Sequence, residues 1–120
     1  MADTGTLATS AEVILAIGAS PTAAQILEAN TNIWVQWAEG DMSALLLNDL
    51  VANYASIGTN WQRYFAQVAA DRAAWYAINQ DQDNWELATT QSKLNVFLES
   101  WKAFKSLAKD KVDFLKIVGL

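Results

Sequence analysis

Residues 84–118 read NWELATTQSKLNVFLESWKAFKSLAKDKVDFLKIV, and the fold class turns on their periodicity. Leu87, Leu94, Trp101, Ala108 and Leu115 recur at a strict heptad interval, and Phe97, Leu98, Phe104 and Val112 widen the seam. No Pro or Gly interrupts the run, so it predicts one helix of roughly 35 residues, ~50 Å long, ended by Gly119. Its wet face is narrow. Glu99, Ser106 and Asp113 form one row, with Lys102, Lys109 and Lys116 beside it. Val96, Leu107, Phe114 and Val118 carry the apolar arc past the ~100° of an ordinary surface helix.

Upstream, Thr59 or Asn60 opens a helix predicted to reach Ile78. One side is bulky, with Trp61, Tyr64, Phe65, Val68, Trp75 and Tyr76; nearly opposite runs the stripe Ala66, Ala70, Ala73 and Ala77. Such stripes let helix backbones approach closely. Before it, Asp41 is placed as the cap of a helix burying Leu46, Leu47, Leu50, Val51, Tyr54 and Ile57, which Gly58 breaks. Ser20 and Pro21 start an earlier helix that Gly40 closes as a left-handed cap. Its apolar face carries Ile26, Ile33, Trp34 and Trp37, with Asn30 buried among them; Gln25, Glu28, Asn32 and Gln36 lie opposite. Thr9 and Glu12 form a capping box for a short helix from Ser10 to about Ile17. A strand over residues 13–17 is the rival reading.

The predicted fold is all-α: a single-domain antiparallel helical bundle of four main helices, with a short N-terminal helix and an extended arm. The arm spans residues 1–9 and the bundle 10–120. The expected core holds Trp34, Trp37, Leu50, Tyr54, Trp75, Leu94, Phe97, Trp101 and Phe104, and Trp101→Ala is expected to cost about 3–5 kcal/mol. Trp61 and Trp85, at helix starts, are the expected exposed pair.

The chain has neither cysteine nor histidine, which removes disulfides, thiol nucleophiles, imidazole- or thiolate-bound zinc and every histidine-dependent triad. No phosphate loop, dinucleotide fingerprint or nucleophile elbow occurs. Asp81, Asp83 and Glu86 fail the calcium-loop pattern, because Glu86 stands where that loop needs glycine. Glu39 and Asp41 are the other close acid pair, flanking the expected break at Gly40. Arg72 is read as lying along the core edge with its guanidinium in water; the sharper alternatives are a carboxylate partner or an aromatic stack.

Charge divides unevenly. Residues 1–92 hold Arg63 and Arg72 against ten acids, −8, whereas residues 93–120 hold six lysines against three acids, +3. That balance argues against general nucleic-acid binding and permits the basic C-terminal region to dock on an acidic surface. A basic start and a span of ~20 apolar residues are both missing, so neither a signal peptide nor a membrane span is expected.

These features point to a non-enzymatic structural or assembly protein without cofactor or metal, packing on copies of itself or on larger partners. The expected setting is the cytoplasm or a virus particle, such as a bacteriophage virion. The surfaces expected to meet partners are the stripe Ala66, Ala70, Ala73 and Ala77 and the flank Val96, Leu107, Phe114 and Val118, with the N-terminal arm running along a neighbour. The alternative is a small-molecule or lipid carrier with an aromatic-lined pocket between helices.

Overall fold

The computed structural model describes residues 5–18, 25, 27–80 and 87–120, and among them the chain is all-α, with no strand. The helices are α1 (Ser10–Ile17), α2 (Glu28–Leu46), α3 (Thr59–Gln80), α4 (Leu87–Leu107) and α5 (Lys111–Val118). The expected start at Ser20 and Pro21, the acidic trio Asp81, Asp83 and Glu86, and Trp85 lie outside the described residues.

The capping box forms as read. The Glu12 N–H donates to Thr9 Oγ1 at 3.2 Å and the Thr9 N–H to Glu12 Oε1 at 3.0 Å. α1 then buries Val13 and Ile17 and ends at Gly18. Opposite its last turn, Lys93 Nζ of α4 donates to the Ile17 carbonyl at 2.5 Å, placing a cation on the negative end of α1.

α2 departs from the expected plan. It runs straight through Gly40 and Asp41, and the left-handed cap falls on Leu47, at φ 52°. Gly40 lowers helix propensity by only ~1 kcal/mol, and the burial of Ala38, Met42 and Leu46 on the same turns outweighs that. The expected third helix is absent. Residues 47–58 are turns with a short 3-10 helix at Tyr54–Ser56. Polar side chains here satisfy the backbone locally and compete with a helix: Ser43 Oγ accepts from the Leu50 N–H and Asp49 Oδ1 from that of Ala52. Leu50 and Ile57 are buried and Tyr54 half-buried, but Leu47 and Val51 are exposed.

The face of α2 expected to be wet is partly internal. Of the residues expected there, Asn32 and, ahead of the helix, Gln25 are buried, Glu28 is half-buried and Gln36 exposed; Thr31 and Glu39 are also buried, whereas Asn30 is half-buried and Ile33 and Trp37 are exposed. Ser10 Oγ and Thr31 Oγ1 share a hydrogen bond of 2.6 Å between α1 and α2, and Gln25 Nε2 donates to the Ala77 carbonyl at 3.3 Å. Trp37 therefore leaves the expected core list and packs edge-on against Tyr76 at 5.3 Å.

Of the arm, residues 5–9 are described, and Thr6 to Ala8 pack against the body. The N–H groups of Thr6 and Leu7 both donate to Glu39 Oε2, at 2.8 and 2.7 Å, and Leu7 and Ala8 are buried. Gly5 passes so close to Val35 that a side chain there would not fit. Glu39→Ala should strand those donors, at about 1–3 kcal/mol for a buried one. Amide exchange at Leu7 should then lose its protection, and unchanged protection would show that burial alone holds the arm.

α3 is the central helix, packed against α1, α2 and α4. The C-terminal run is two helices, because the helical pattern stops over Ala108–Asp110. Asp110 caps α5 by accepting from the Asp113 N–H at 3.4 Å, and the new direction seats Phe114 and Val118 in the core. The Val118 carbonyl accepts from the Gly58 N–H at 3.0 Å. Gly119 closes the helix at φ 101°, where a Cβ would come within 2.5 Å of the Ser56 carbonyl oxygen.

The core centre is an aromatic cluster of Trp61, Tyr64, Phe65, Trp101, Phe104 and Phe114. Phe65 and Phe104 meet at 6.1 Å and 89°, Trp61 and Phe114 at 5.5 Å and 82°. Trp61, expected to be exposed, is half-buried within it. Trp34, Phe97 and Phe104 are buried, while Trp75, Leu94 and Trp101 are half-buried against the core.

Candidate functional site

The surface feature richest in chemistry joins α2, α3 and α4 around Arg72. Its Nε donates to Asp41 Oδ2 at 3.0 Å, and the Tyr76 hydroxyl donates to the same oxygen at 2.5 Å. The guanidinium carbon lies 4.6 Å from the ring centre of Trp75, 5.4 Å from Tyr76 and 4.5 Å from Trp101. Arg72 thus has both the carboxylate and the aromatic stack, in place of a head reaching freely into water. Asp41, expected as a helix cap, is its partner instead. Burial, and then the hydrogen bond and charge of Asp41, push the Tyr76 phenol above its usual range. With Nε bonded to Asp41 and the guanidinium lying against the rings of Trp75 and Trp101, the cluster links three helices.

Beside it, Ser100 Oγ of α4 donates to Asp71 Oδ2 of α3 at 2.9 Å. Burial pushes the Asp71 carboxyl above the usual carboxylate range, and the Ser100 bond offsets this only in part. A pKa raised on folding favours the protonated form in the native state. That contribution is present below the unfolded pKa and lost as pH rises through the folded one. Asp71→Asn keeps an oxygen for Ser100 and removes the charge. It should therefore raise the unfolding midpoint at about pH 7 and leave it unchanged near pH 3, where both side chains are neutral. A variant less stable at neutral pH would show the charge to be favourable.

The residues expected to meet partners divide. Ala70, Ala73 and Ala77 are buried along α3 and Ala66 is half-buried, so the stripe packs internally: alanine is what lets α3 sit between three neighbours. Phe114 and Val118 are also buried, because the turn before α5 swings them inward. Val96 and Leu107 remain exposed on one row of α4, with Ala103 between them.

Exposed apolar side chains gather at two surface hollows. One, about 620 Å³, lies at the C-terminal end of α2, lined by Gln36, Gly40, Ala44, Leu47, Asp49 and Val51 among others. The other, about 680 Å³, lies at the α4–α5 corner and is lined by Ser106, Leu107, Lys109, Asp110, Lys111 and Val112. Smaller hollows of about 280 and 270 Å³ flank α1 against α3. Tyr54 is the one aromatic residue lining any of these four.

Two roles escaped the sequence reading, those of Glu39 and Asp41. The signal was present: Val35, Ala38, Met42 and Leu46 continue one helical face past Gly40, with Glu39 on its edge. A carboxylate there asks for a donor. Among the described residues no three acidic side chains converge as a metal site would need, and no helix is long and apolar enough to cross a membrane. No protein-family model matches the chain, and neither a curated protein nor a solved structure matches it.

Proposed function

We propose that the chain is a non-enzymatic assembly protein whose helical body docks on copies of itself or on larger partners. The observation that carries this is the clustering of exposed apolar side chains at the α2 end and the α4–α5 corner. Leu47 is 78% exposed, Val112 64% and Leu107 47%. Single exposed leucines are ordinary, but grouped ones at a concave surface mark interaction sites. The buried alanine stripe and the packed residues Leu7 and Ala8 contribute nothing to docking in this reading, which rests on residues other than most of those first singled out. Short connections would let the main helices run antiparallel as a bundle, giving a rigid body for such surfaces. A virus particle, such as a bacteriophage virion, or the cytoplasm is the setting that fits a small subunit of this kind.

The carrier reading draws less support, since the rings pack on one another and the hollows described are nearly free of them. The deciding measurement is the mass of the particle that contains the protein in its native source. A particle several times 13.2 kDa is expected. A lone subunit of that mass would overturn the reading.

A further inference from the structure

The two apolar hollows differ in electrostatics. The one at the α2 end carries Asp49, with Glu39 in its wall, and neither Lys nor Arg lines it. It also lies at the negative end of a 19-residue helix whose last turn holds no basic residue. Leu47, set in the left-handed conformation that ends α2, stands out beside Val51. The hollow at the α4–α5 corner carries Lys109 and Lys111 around the exposed Leu107 and Val112, in the part of the chain that holds all six lysines. Asp110 is the acid there, already engaged as the cap of α5.

We infer that the α4–α5 corner of one copy docks into the α2-end hollow of a second copy. Leu107 and Val112 would meet Leu47 and Val51, and Lys109 and Lys111 would face Asp49 and the unneutralised carbonyl end of α2. The inference rests on the assembly reading and specifies its interface. Charge complementarity selects a second copy as occupant: Glu39 and Asp49 line the acceptor hollow without any Lys or Arg, and Lys109 and Lys111 outnumber Asp110 at the donor corner. Because the two surfaces differ, the contact is heterologous. The docked pair keeps one donor corner and one acceptor hollow free, so association continues until a ring closes or a filament grows.

The test uses the full chain in sedimentation velocity across a concentration series, with far-UV circular dichroism to confirm that each variant is folded. All substitutions fall on exposed side chains. The wild type should associate beyond the dimer and weaken as salt rises to ~0.5 M. Asp49→Lys spoils the acceptor, and the double variant Lys109→Glu, Lys111→Glu spoils the donor. Each alone should associate about tenfold or more weakly than the wild type. An equimolar mixture of the two should recover association beyond the dimer, because the intact donor of one variant meets the intact acceptor of the other and the two reversed faces are again opposite in charge. Wild-type association that neither variant changes would overturn this interface while leaving the assembly reading standing. A wild type that stays monomeric at every concentration and salt overturns self-docking altogether. A monomer that binds vesicles containing anionic lipid, and loses that binding in the lysine variant only, overturns it in favour of a membrane surface.

Discussion

Phe104→Ala is expected to lower the unfolding free energy by about 3–5 kcal/mol, read as a shift of the urea midpoint. Phe104 is wholly buried and its ring touches those of Tyr64, Phe65, Trp101 and Phe114. These come from α3, α4 and α5, so the cavity borders three helices and no single side chain can move in to fill it. The loss is a large fraction of the whole stability of a small domain, about 5–15 kcal/mol. Leu107→Ala, three residues on but exposed, should move stability by no more than about 0.5 kcal/mol. Equal effects at the two positions would mean that the helix faces are assigned wrongly. Trp101→Ala should cost less than Phe104→Ala. Its ring is half-buried and shares one flank with Arg72, so part of its surface is not taken from water.

Ala73→Glu should unfold the subunit and not merely disperse an assembly. Ala73 is fully buried on the central helix. A larger side chain there overpacks the site, at about 1–3 kcal/mol, and an unpaired buried carboxylate adds several more. Together they match the stability available. The far-UV helical signal should collapse at about pH 7 and return in part on acidification, as the carboxylate is neutralised. Ala103→Glu, on the exposed row of α4, supplies the contrast and should keep full helicity. A folded, soluble Ala73→Glu would return the stripe to the surface.

Legibility in the sequence followed how local the deciding interactions were. The capping box at Thr9 and Glu12 was readable, since its whole energetics lies within four consecutive residues. The start of α3 at Thr59 was equally so, after Gly58. Gly40 misled because its helix penalty is local and small, whereas the burial of Met42 and Leu46 that overrides it depends on tertiary contacts. The break at Ala108–Asp110 was hidden for the opposite reason. No residue there forbids helix, and the turn is stabilised by what it achieves elsewhere: the Val118 carbonyl reaching Gly58 and Phe114 reaching Trp61. At the candidate site, the aromatic and carboxylate partners of Arg72 could be named as possibilities. Choosing Asp41 required knowing that α2 continues through it and lies beside α3.

The hydrogen bond between Ser10 and Thr31 bears on how many structures this chain can adopt. Apolar helix faces are tolerant: a helix can slide by one turn along another and still bury much the same area. Sliding α1 by one turn would carry Ser10 ~5.4 Å from its present partner. Ser10 would lose Thr31 while Thr31 kept the Glu28 carbonyl of its own helix, so the cost falls on the displaced Ser10 hydroxyl, at about 1–3 kcal/mol if it is left without a partner. The Glu39 carboxylate would lose Thr6 and Leu7 in the same movement, because the arm is continuous with α1. An alanine-rich interface that is permissive about alignment is therefore keyed by a few internal polar atoms, which open an energy gap between the native arrangement and its near neighbours.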